Sequence, residues 1–169
     1  MIQRKVCLIG DFAVGKTSLF HRFVYNRFSE GYLSTIGVMI QRKVVQVESR
    51  TVSLVLWDMQ GNQDSTHIKE HYVRGASGAI IVCDLTRLIT ILHCEGYMNV
   101  LRQINQDMCL MIAANKLDLT RPDHEHLTLV QQIATQMKLP ITLTSARNAE
   151  GVEDLFSQMG AALLSKVKT

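Results

Sequence analysis

The sequence contains little of what marks a membrane-spanning or a disulfide-rich protein. Its longest apolar runs, residues 78–82 and 110–114, reach about a quarter of the length of a membrane span. The start of the chain lacks the long apolar core of a secretory signal, and the four cysteines are too widely spaced for a disulfide framework or a zinc site. We therefore expect a reducing, cytoplasmic setting and buried, unpaired thiols.

The sequence also has little excess charge of either sign. The formal net charge is +3 and no block of like charges occurs, so neither a nucleic acid nor an anionic membrane is indicated as a partner. The six histidines include two close pairs, but neither pair has a third ligand in a recognisable metal-binding pattern. With 169 residues, 47% of them hydrophobic, and no linker or repeat, the chain fits one domain over residues 1–169.

What the sequence does contain is a regular alternation of apolar, strand-like segments with segments of helical length, which is typical of an α/β fold. Strands are predicted at residues 6–9, 52–57, 79–83, 108–114 and 141–144. Helices are predicted to begin near Lys16 and to span residues 90–104, 127–137 and 152–166. Residues 41–57 alternate apolar and polar side chains across a turn at residues 48–50, which predicts a hairpin with an antiparallel edge strand. The predicted fold class is α/β, with a six-stranded, mostly parallel sheet and helices on both faces.

Residues 10–17, GDFAVGKT, fit the phosphate-loop pattern G-x-x-x-x-G-K-[ST] and lie between a predicted strand and a predicted helix. Glycines let the backbone approach phosphate closely, and the amide groups at the helix start face its oxygens. Lys16 supplies a positive charge, and the Thr17 hydroxyl can ligate magnesium. The loop indicates a nucleoside triphosphate without specifying the base.

The base is indicated by residues 115–118, NKLD, at the end of the fifth strand. The carboxylate of Asp118 can accept from both the ring N–H and the exocyclic amino group of guanine. Adenine lacks that amino group and would leave the carboxylate unpaired. Guanine is therefore favoured, and an adenine-specific ATPase is the disfavoured alternative.

A third motif, residues 57–61 with the sequence WDMQG, ends a strand with an acid and a glycine. Phosphate-loop enzymes need such an acid as an outer ligand of magnesium and a backbone amide that faces the terminal phosphate. Asp58 and Gly61 fit these two roles.

With these three motifs, the sequence resembles the small GTPases of the Ras superfamily, and within it the Rab branch, over nearly its whole length. Tyr32 and residues 35–38 resemble the first switch of Rab proteins, residues 72–76 resemble the second switch, and residues 145–147 resemble the loop that touches guanine. The resemblance implies the P-loop small-GTPase (G domain) fold, with GTP or GDP and Mg²⁺ as cofactors.

The resemblance also implies roles for individual residues. Phe28 would pack beside the base, Thr35 would complete the coordination of magnesium, and the backbone N–H of Ala146 would donate to the guanine carbonyl. The expected metal ligands are Thr17, Thr35 and Asp58. The residues expected to act in hydrolysis are Lys16, Thr35, Gly61 and Asn62. The residues expected to contact the nucleotide are Asp11, Phe12, Ala13, Val14, Gly15, Lys16, Thr17, Ser18, Phe28, Thr35, Gly61, Asn115, Lys116, Asp118, Ser145, Ala146 and Arg147.

The sequence departs from the family pattern where hydrolysis takes place. Relatives usually have WDTAGQE at the third motif, so Asn62 replaces the glutamine that orients the attacking water and is one methylene shorter. Phe12 takes a position beside the terminal phosphate where most relatives have glycine or serine. We therefore expect slow hydrolysis. The alternative is that Gln60 or Gln63 positions the water in place of Asn62.

These features predict a guanine-nucleotide-dependent switch in membrane trafficking or a related regulatory pathway, and the alternative is a hydrolysis-deficient pseudo-GTPase that acts as a scaffold. Effectors, exchange factors and activating proteins are expected to bind through Ile36, Ile40, Trp57 and Tyr72, with Trp57 exposed to solvent. The last five residues contain no cysteine for prenylation. We expect a cytoplasmic monomer without a membrane anchor, or a protein peripheral to a membrane if a lipidated tail has been removed.

Overall fold

The computed structural model describes residues 2–31 and 35–167, and Tyr32 of the predicted first switch lies outside these ranges. The strands in this part of the chain are β1 (Ile2–Gly10), β2 (Val38–Val47), β3 (Arg50–Met59), β4 (Gly78–Asp84), β5 (Cys109–Asn115) and β6 (Ile141–Leu143). The α-helices are α1 (Lys16–Tyr25), α2 (Glu70–Val73), α3 (Leu88–Leu92), α4 (Cys94–Ile104), α5 (Glu125–Met137) and α6 (Val152–Ser165).

The six strands form a sheet in the order β2-β3-β1-β4-β5-β6. Neighbouring strands run parallel except β2, which pairs antiparallel with β3 in a hairpin that closes between Val47 and Arg50. Glu48, in the connecting turn, has a left-handed backbone conformation with a φ of 52°. The structure confirms both the predicted edge hairpin and the predicted fold class.

Side chains of the central strands point alternately to the two faces of the sheet and build two apolar layers. On β1, Val6 and Leu8 contribute to one layer, whereas Cys7 and Ile9 contribute to the other. Helices α1 and α6 cover the first layer, and α2, α3, α4 and α5 contribute to the second. Because both faces are covered, the loops at the strand ends are left to form a binding site.

The structure has two helices where the sequence predicted one over residues 90–104. Helices α3 and α4 meet at His93, where ψ is −14° against an α-helical value of about −42°. The His93 ring contacts the carboxylate of Asp11, with 2.7 Å between Nδ1 and Oδ2. The prediction of a single helix was therefore wrong, because the contact that accompanies the break joins residues 82 positions apart.

The other differences lie at segment ends and in the second switch. Strand β1 begins at Ile2 rather than at residue 6, because polar residues 3–5 continue the parallel ladder with β3. A 3₁₀ turn at Ser65–His67 precedes α2, which overlaps the predicted second switch at residues 72–76, and neither element was predicted. Both are short and have little apolar periodicity, which is the signal that sequence prediction needs.

The cysteines are buried thiols. All four thiols are free and buried, and burial raises the pKa of Cys7 to about 12, so this thiol stays protonated. Within residues 2–31 and 35–167, no helix has the length and apolar character needed to cross a bilayer. The same ranges contain no cluster of three or more histidine, cysteine or carboxylate side chains that could hold a metal ion.

The aromatic pair that joins α1 to α6 gives a test of the fold. The rings of Phe23 and Phe156 are stacked with centroids 3.9 Å apart, and both side chains are buried. We expect Phe156→Ala to lower the free energy of unfolding by about 3–5 kcal/mol because it leaves a cavity between the two helices. Urea unfolding followed by circular dichroism measures this loss. Tyr25→Ala, at a half-exposed position, is the control and should cost less than about 1 kcal/mol.

Candidate functional site

The loops that follow β1, β3, β5 and β6 meet at the carboxyl edge of the sheet and surround a cavity of about 320 Å³. Residues 28–31, which follow α1, close one side of it. The predicted nucleotide-binding residues that line the cavity are Phe12, Ala13, Gly15, Lys16, Thr17, Ser18, Phe28, Thr35, Gly61, Asn115, Lys116, Asp118, Ala146 and Arg147. The other three, Asp11, Val14 and Ser145, are buried and do not line it.

The phosphate loop is tightly wrapped because Ala13 and Gly15 have left-handed backbone conformations, with φ of 61° and 102°. A Cβ atom added to Gly15 would lie 2.2 Å from Nδ2 of Asn115, so only glycine fits there. The same Nδ2 donates to the carbonyl of Val14 at 3.1 Å, and Nζ of Lys116 donates to the carbonyl of Ala13 at 2.9 Å. The NKLD motif therefore supports the phosphate loop as well as lining the cavity.

Lys16 is buried at the centre of the loop. Its Nζ donates to the carbonyls of Gly10 and Asp11 at 3.1 and 2.8 Å. Burial lowers the pKa of Lys16 to about 8, although the carboxylates of Asp58 and Asp11 oppose this shift. A buried ammonium bonded to neutral carbonyls lacks negative charge in direct contact, which is what a phosphate group supplies.

Oxygen atoms from three elements converge beside Lys16. The hydroxyls of Thr17 and Thr35 contact each other, and they donate to Oδ2 of Asp58 at 2.7 and 3.1 Å respectively. Burial raises the pKa of Asp58, while the bond from Thr17 and the charge of Lys16 oppose the rise. The other carboxylate oxygen of Asp58, Oδ1, is buried and has no hydrogen-bond partner among the described residues. A cluster of hydroxyl and carboxylate oxygens with an unpartnered oxygen fits Mg²⁺ and its bound water.

The opposite end of the cavity is built from the residues predicted to contact the base. Asp118 accepts a hydrogen bond from the Ser145 hydroxyl at 2.7 Å through Oδ1. The Ala146 N–H donates to Oδ1 of Asn115 at 3.4 Å. Phe28 forms part of the wall and packs against the core on the α1 and α6 side of the sheet. The two sequence motifs that carried the guanine prediction are thus joined by hydrogen bonds.

Two residues that the sequence analysis missed hold this end in place. The Arg22 guanidinium on α1 donates to the carbonyls of Ala146 and Arg147 at 2.8 Å each. Asp84 pairs with Lys116, with 2.7 Å between Oδ2 and Nζ. Asp84 could have been found, because it ends the buried strand beside the NKLD strand and so lies at the same edge of the sheet. Nothing in the local sequence marks Arg22.

Comparison of the sequence with known proteins identifies a matching family and a relative. The sequence model of the Ras family matches residues 5–165 of this chain. The chain is 32% identical over 164 residues to the Ras-related protein RABD2c of Arabidopsis thaliana, an alignment that covers 96% of this chain and 81% of the relative.

The chain belongs to the Ras family. Members of this family are GTPases that bind guanine nucleotide and Mg²⁺ and act as molecular switches. The match and the relative confirm the resemblance to the Ras superfamily and its Rab branch.

In this Ras-family protein, the loop predicted to act in hydrolysis is attached to the phosphate loop by its backbone. The N–H of Phe12 donates to the carbonyl of Asn62 at 2.8 Å, and the N–H of Asn62 donates to the carbonyl of Gly10 at 3.2 Å. A Cβ atom added to Gly61 would lie 2.6 Å from Cα of Phe12, so glycine is required at this contact. Gln60 lines the 320 Å³ cavity, whereas Asn62 does not. Gln63 lines the neighbouring cavity beside the second switch, and the alternative that Gln60 or Gln63 positions the water is not decided by this geometry.

The residues expected to contact partners differ in exposure. The exposed fraction of the side chain is 92% for Ile36 and 48% for Ile40. Trp57 is half-buried, with Nζ of Lys5 3.6 Å from the centre of its ring, and Tyr72 packs beside the same apolar layer. The expectation that Trp57 is exposed to solvent is met only in part, because Lys5 covers one face of its ring and the residue packs against the core on the α4 side of the sheet.

The lowered pKa of Lys16 predicts that nucleotide binding depends on pH. Phosphate favours the ammonium form, so binding of GDP above about pH 8 requires uptake of a proton. We expect GDP affinity to be constant below about pH 8 and to fall above it, approaching tenfold per pH unit. Titrations of GDP from about pH 7 to about pH 9 measure this slope.

Lys16→Arg is the matched control, because a guanidinium stays charged over this range. Ionisation of the base affects both proteins equally. Equal slopes in the two proteins would contradict the assignment of the proton to Lys16.

Proposed function

We propose that this protein binds GTP and GDP in the 320 Å³ cavity and acts as a nucleotide-dependent switch with slow intrinsic hydrolysis. The observation that carries the proposal is that Asp118, bonded to the buried Ser145 hydroxyl, lines one end of the cavity, and that Thr17 and Thr35, which donate to the buried Asp58, line the other end. The first end suits a base that donates hydrogen bonds, and the second suits a phosphate with its metal ion.

Lys16 and the loop around it are the proposed phosphate cradle. The left-handed residues Ala13 and Gly15 turn successive N–H groups inward, and Lys16 exchanges its carbonyl partners for phosphate oxygens. Thr17, Thr35 and Asp58 would hold Mg²⁺, directly or through water. When bound, the ion neutralises charge that develops on the phosphate oxygens.

Thr35 and Gly61 are proposed to report the state of the nucleotide to partners. Both line the cavity, and both belong to loops that continue into the exposed segment around Ile36 and into the second switch. The Gln60 N–H donates to the carbonyl of Gly37 at 3.1 Å, which links the two loops directly. A terminal phosphate that orders Thr35 and Gly61 would therefore change the surface that effectors and exchange factors contact.

The choice of base gives the first test of this function. We expect GDP to compete for the site far better than ADP. Asp118→Asn should weaken GDP binding by roughly ten- to hundredfold, because a charged hydrogen-bond acceptor is lost. The same variant should favour xanthosine diphosphate, whose 2-carbonyl accepts from the new amide. Competition against a fluorescent guanine nucleotide measures all three ligands.

Ser145→Ala is the control for this test. It removes the hydrogen bond to Asp118 but keeps the carboxylate, so it should not favour xanthosine diphosphate. Equal competition by ADP and GDP for the unmodified protein would contradict guanine recognition. Chromatography of the nucleotide released from freshly purified protein provides an independent check.

Slow hydrolysis is proposed from two features of the catalytic end. Asn62 has a shorter side chain than glutamine, and misplacement of a catalytic group by about 1 Å can cost on the order of a hundredfold in rate. Phe12 is half-exposed and lines both the nucleotide cavity and a second cavity of about 580 Å³ beside the second switch. Its ring would crowd an arginine supplied by an activating protein.

We expect Asn62→Gln to raise the rate of hydrolysis by up to roughly a hundredfold, and Asn62→Gln with Phe12→Gly to raise it further, because positioning and crowding are partly independent defects. Single-turnover release of phosphate from preloaded GTP with magnesium measures the rates. Gln60→Ala is the discriminating control, since it should leave the rate unchanged if Asn62 positions the water. If Gln60→Ala greatly lowers the rate of hydrolysis and the double variant does not raise it, the residue that positions the water is Gln60.

The second candidate function is a scaffold that holds guanine nucleotide without turnover. The same two residues, Phe12 and Asn62, favour it, because binding tolerates them better than hydrolysis does. The rate of nucleotide exchange separates the candidates: a switch exchanges GDP for GTP when a partner acts, and a scaffold does not. A role in membrane trafficking, from the cytoplasm or at a membrane periphery, is proposed from the likeness to the Rab-related relative.

A further inference from the structure

Three successive carbonyl groups of the phosphate loop accept hydrogen bonds from side chains outside the loop. The carbonyls of Ala13 and Val14 are bound by Lys116 and Asn115, as described above. The third carbonyl, that of Phe12, accepts from NH1 of Arg87 at 2.7 Å. Lys116 and Asn115 belong to the NKLD motif, whereas Arg87 belongs to no motif and lies 75 residues from Phe12.

These three bonds fix the direction of the loop's N–H groups. A trans peptide is planar, so its C=O and N–H bonds point in opposite directions. The carbonyls of residues 12–14 point toward these three donors, so the N–H groups of residues 13–15 point away from the donors and are left for a phosphate. Arg87 binds the peptide that carries the first of these groups, the N–H of Ala13. Neither Asn115 nor Lys116 binds that peptide.

The backbone around Arg87 is well supported. Its N–H donates to the carbonyl of Asp84 at 2.9 Å, and its carbonyl accepts from the Thr90 hydroxyl at 2.8 Å. Thr90 and Asp84 are both buried. The guanidinium thus projects from a rigid turn between β4 and α3 rather than from a loose loop.

The charge of Arg87 is not neutralised by a local acid. In the described part of the chain, no carboxylate lies within ion-pair distance of its guanidinium. The charge is also close enough to Lys16 to contribute to the lowering of its pKa, after burial. Two cations therefore flank the phosphate loop, one in the cavity and one behind the loop.

We propose that Arg87 is a positioning residue for the phosphate end of the nucleotide. It holds the Phe12–Ala13 peptide with its N–H directed into the cavity and adds fixed positive charge behind that peptide. The inference rests on the proposed function, since it requires a nucleotide phosphate in the cavity. Its particular consequence is that Arg87 matters for the outer phosphates and not for the base.

The test compares the affinities of GDP and GMP, because GMP shares the base and ribose but lacks the outer phosphate. We expect Arg87→Ala to weaken GDP binding by roughly ten- to hundredfold, the effect of losing a charged hydrogen-bond donor. The affinity for GMP should change by less than about threefold, because GMP lacks the outer phosphate. Arg87→Lys, which keeps the charge but not the planar donor geometry, should recover part of the GDP affinity.

Arg102→Ala is the matched control. NH1 of Arg102 also donates to backbone carbonyls, those of Gln106 and Met108, at 2.7 Å each. These carbonyls precede β5 and so lie at the opposite edge of the sheet from the cavity. Arg102→Ala should leave both affinities unchanged.

Competition of GDP and GMP against a fluorescent guanine nucleotide gives the affinities, and urea unfolding without nucleotide checks each variant. Equal losses of GDP and GMP affinity in the Arg87 variants would assign Arg87 a merely structural role and overturn the inference. Unchanged GDP affinity in Arg87→Ala would overturn it as well. If Arg87→Ala does not fold, the ratio of GDP to GMP affinity in Arg87→Lys decides, and an unaltered ratio overturns the inference. Failure of the unmodified protein to bind GDP would refute the proposed function itself.

Discussion

The direction of the phosphate loop's carbonyl groups is the constraint on which the rest of the site depends. Lys16 binds the carbonyls of Gly10 and Asp11, and donors outside the loop bind those of residues 12–14. Five consecutive carbonyls are thus engaged by cationic or amide side chains. The donors outside the loop fix the peptides that begin at residues 12–14 before a ligand arrives, so these peptides need little reorganisation on binding. The left-handed conformations of Ala13 and Gly15 are part of the same arrangement.

The electrostatic state of the free site follows from burial. Burial lowers the pKa of Lys16 and raises that of Asp58, so both charged forms are less favourable than they are in water. A phosphate beside Lys16 and a cation beside Asp58 would reverse both effects at once. A ligand that supplies both charges would therefore stabilise the folded protein by mass action.

The sequence predicted the fold class and the residues lining the cavity because their signals are local. Residues 10–17 and 115–118 are short patterns whose spacing is readable without a structure, and strand alternation revealed the sheet. Arg22 and Arg87 were missed because they act on backbone carbonyls 124 and 75 residues away. The break at His93 was missed for a related reason, because the His93 ring contacts the side-chain carboxylate of Asp11, 82 residues away. A side chain that binds a remote carbonyl leaves no pattern in its own neighbourhood, so only the folded chain reveals it.

Phe12 shows how a bulky residue can be tolerated at the catalytic end. The bonds between the phosphate loop and Asn62 use only backbone atoms, so they do not depend on the side chain at position 12. The ring of Phe12 instead lies half-exposed between the two cavities, where it can alter access without disturbing the fold. Gly61, by contrast, contacts the Phe12 backbone so closely that any side chain would push the loops apart. The fold therefore constrains residue 61 strictly and residue 12 loosely.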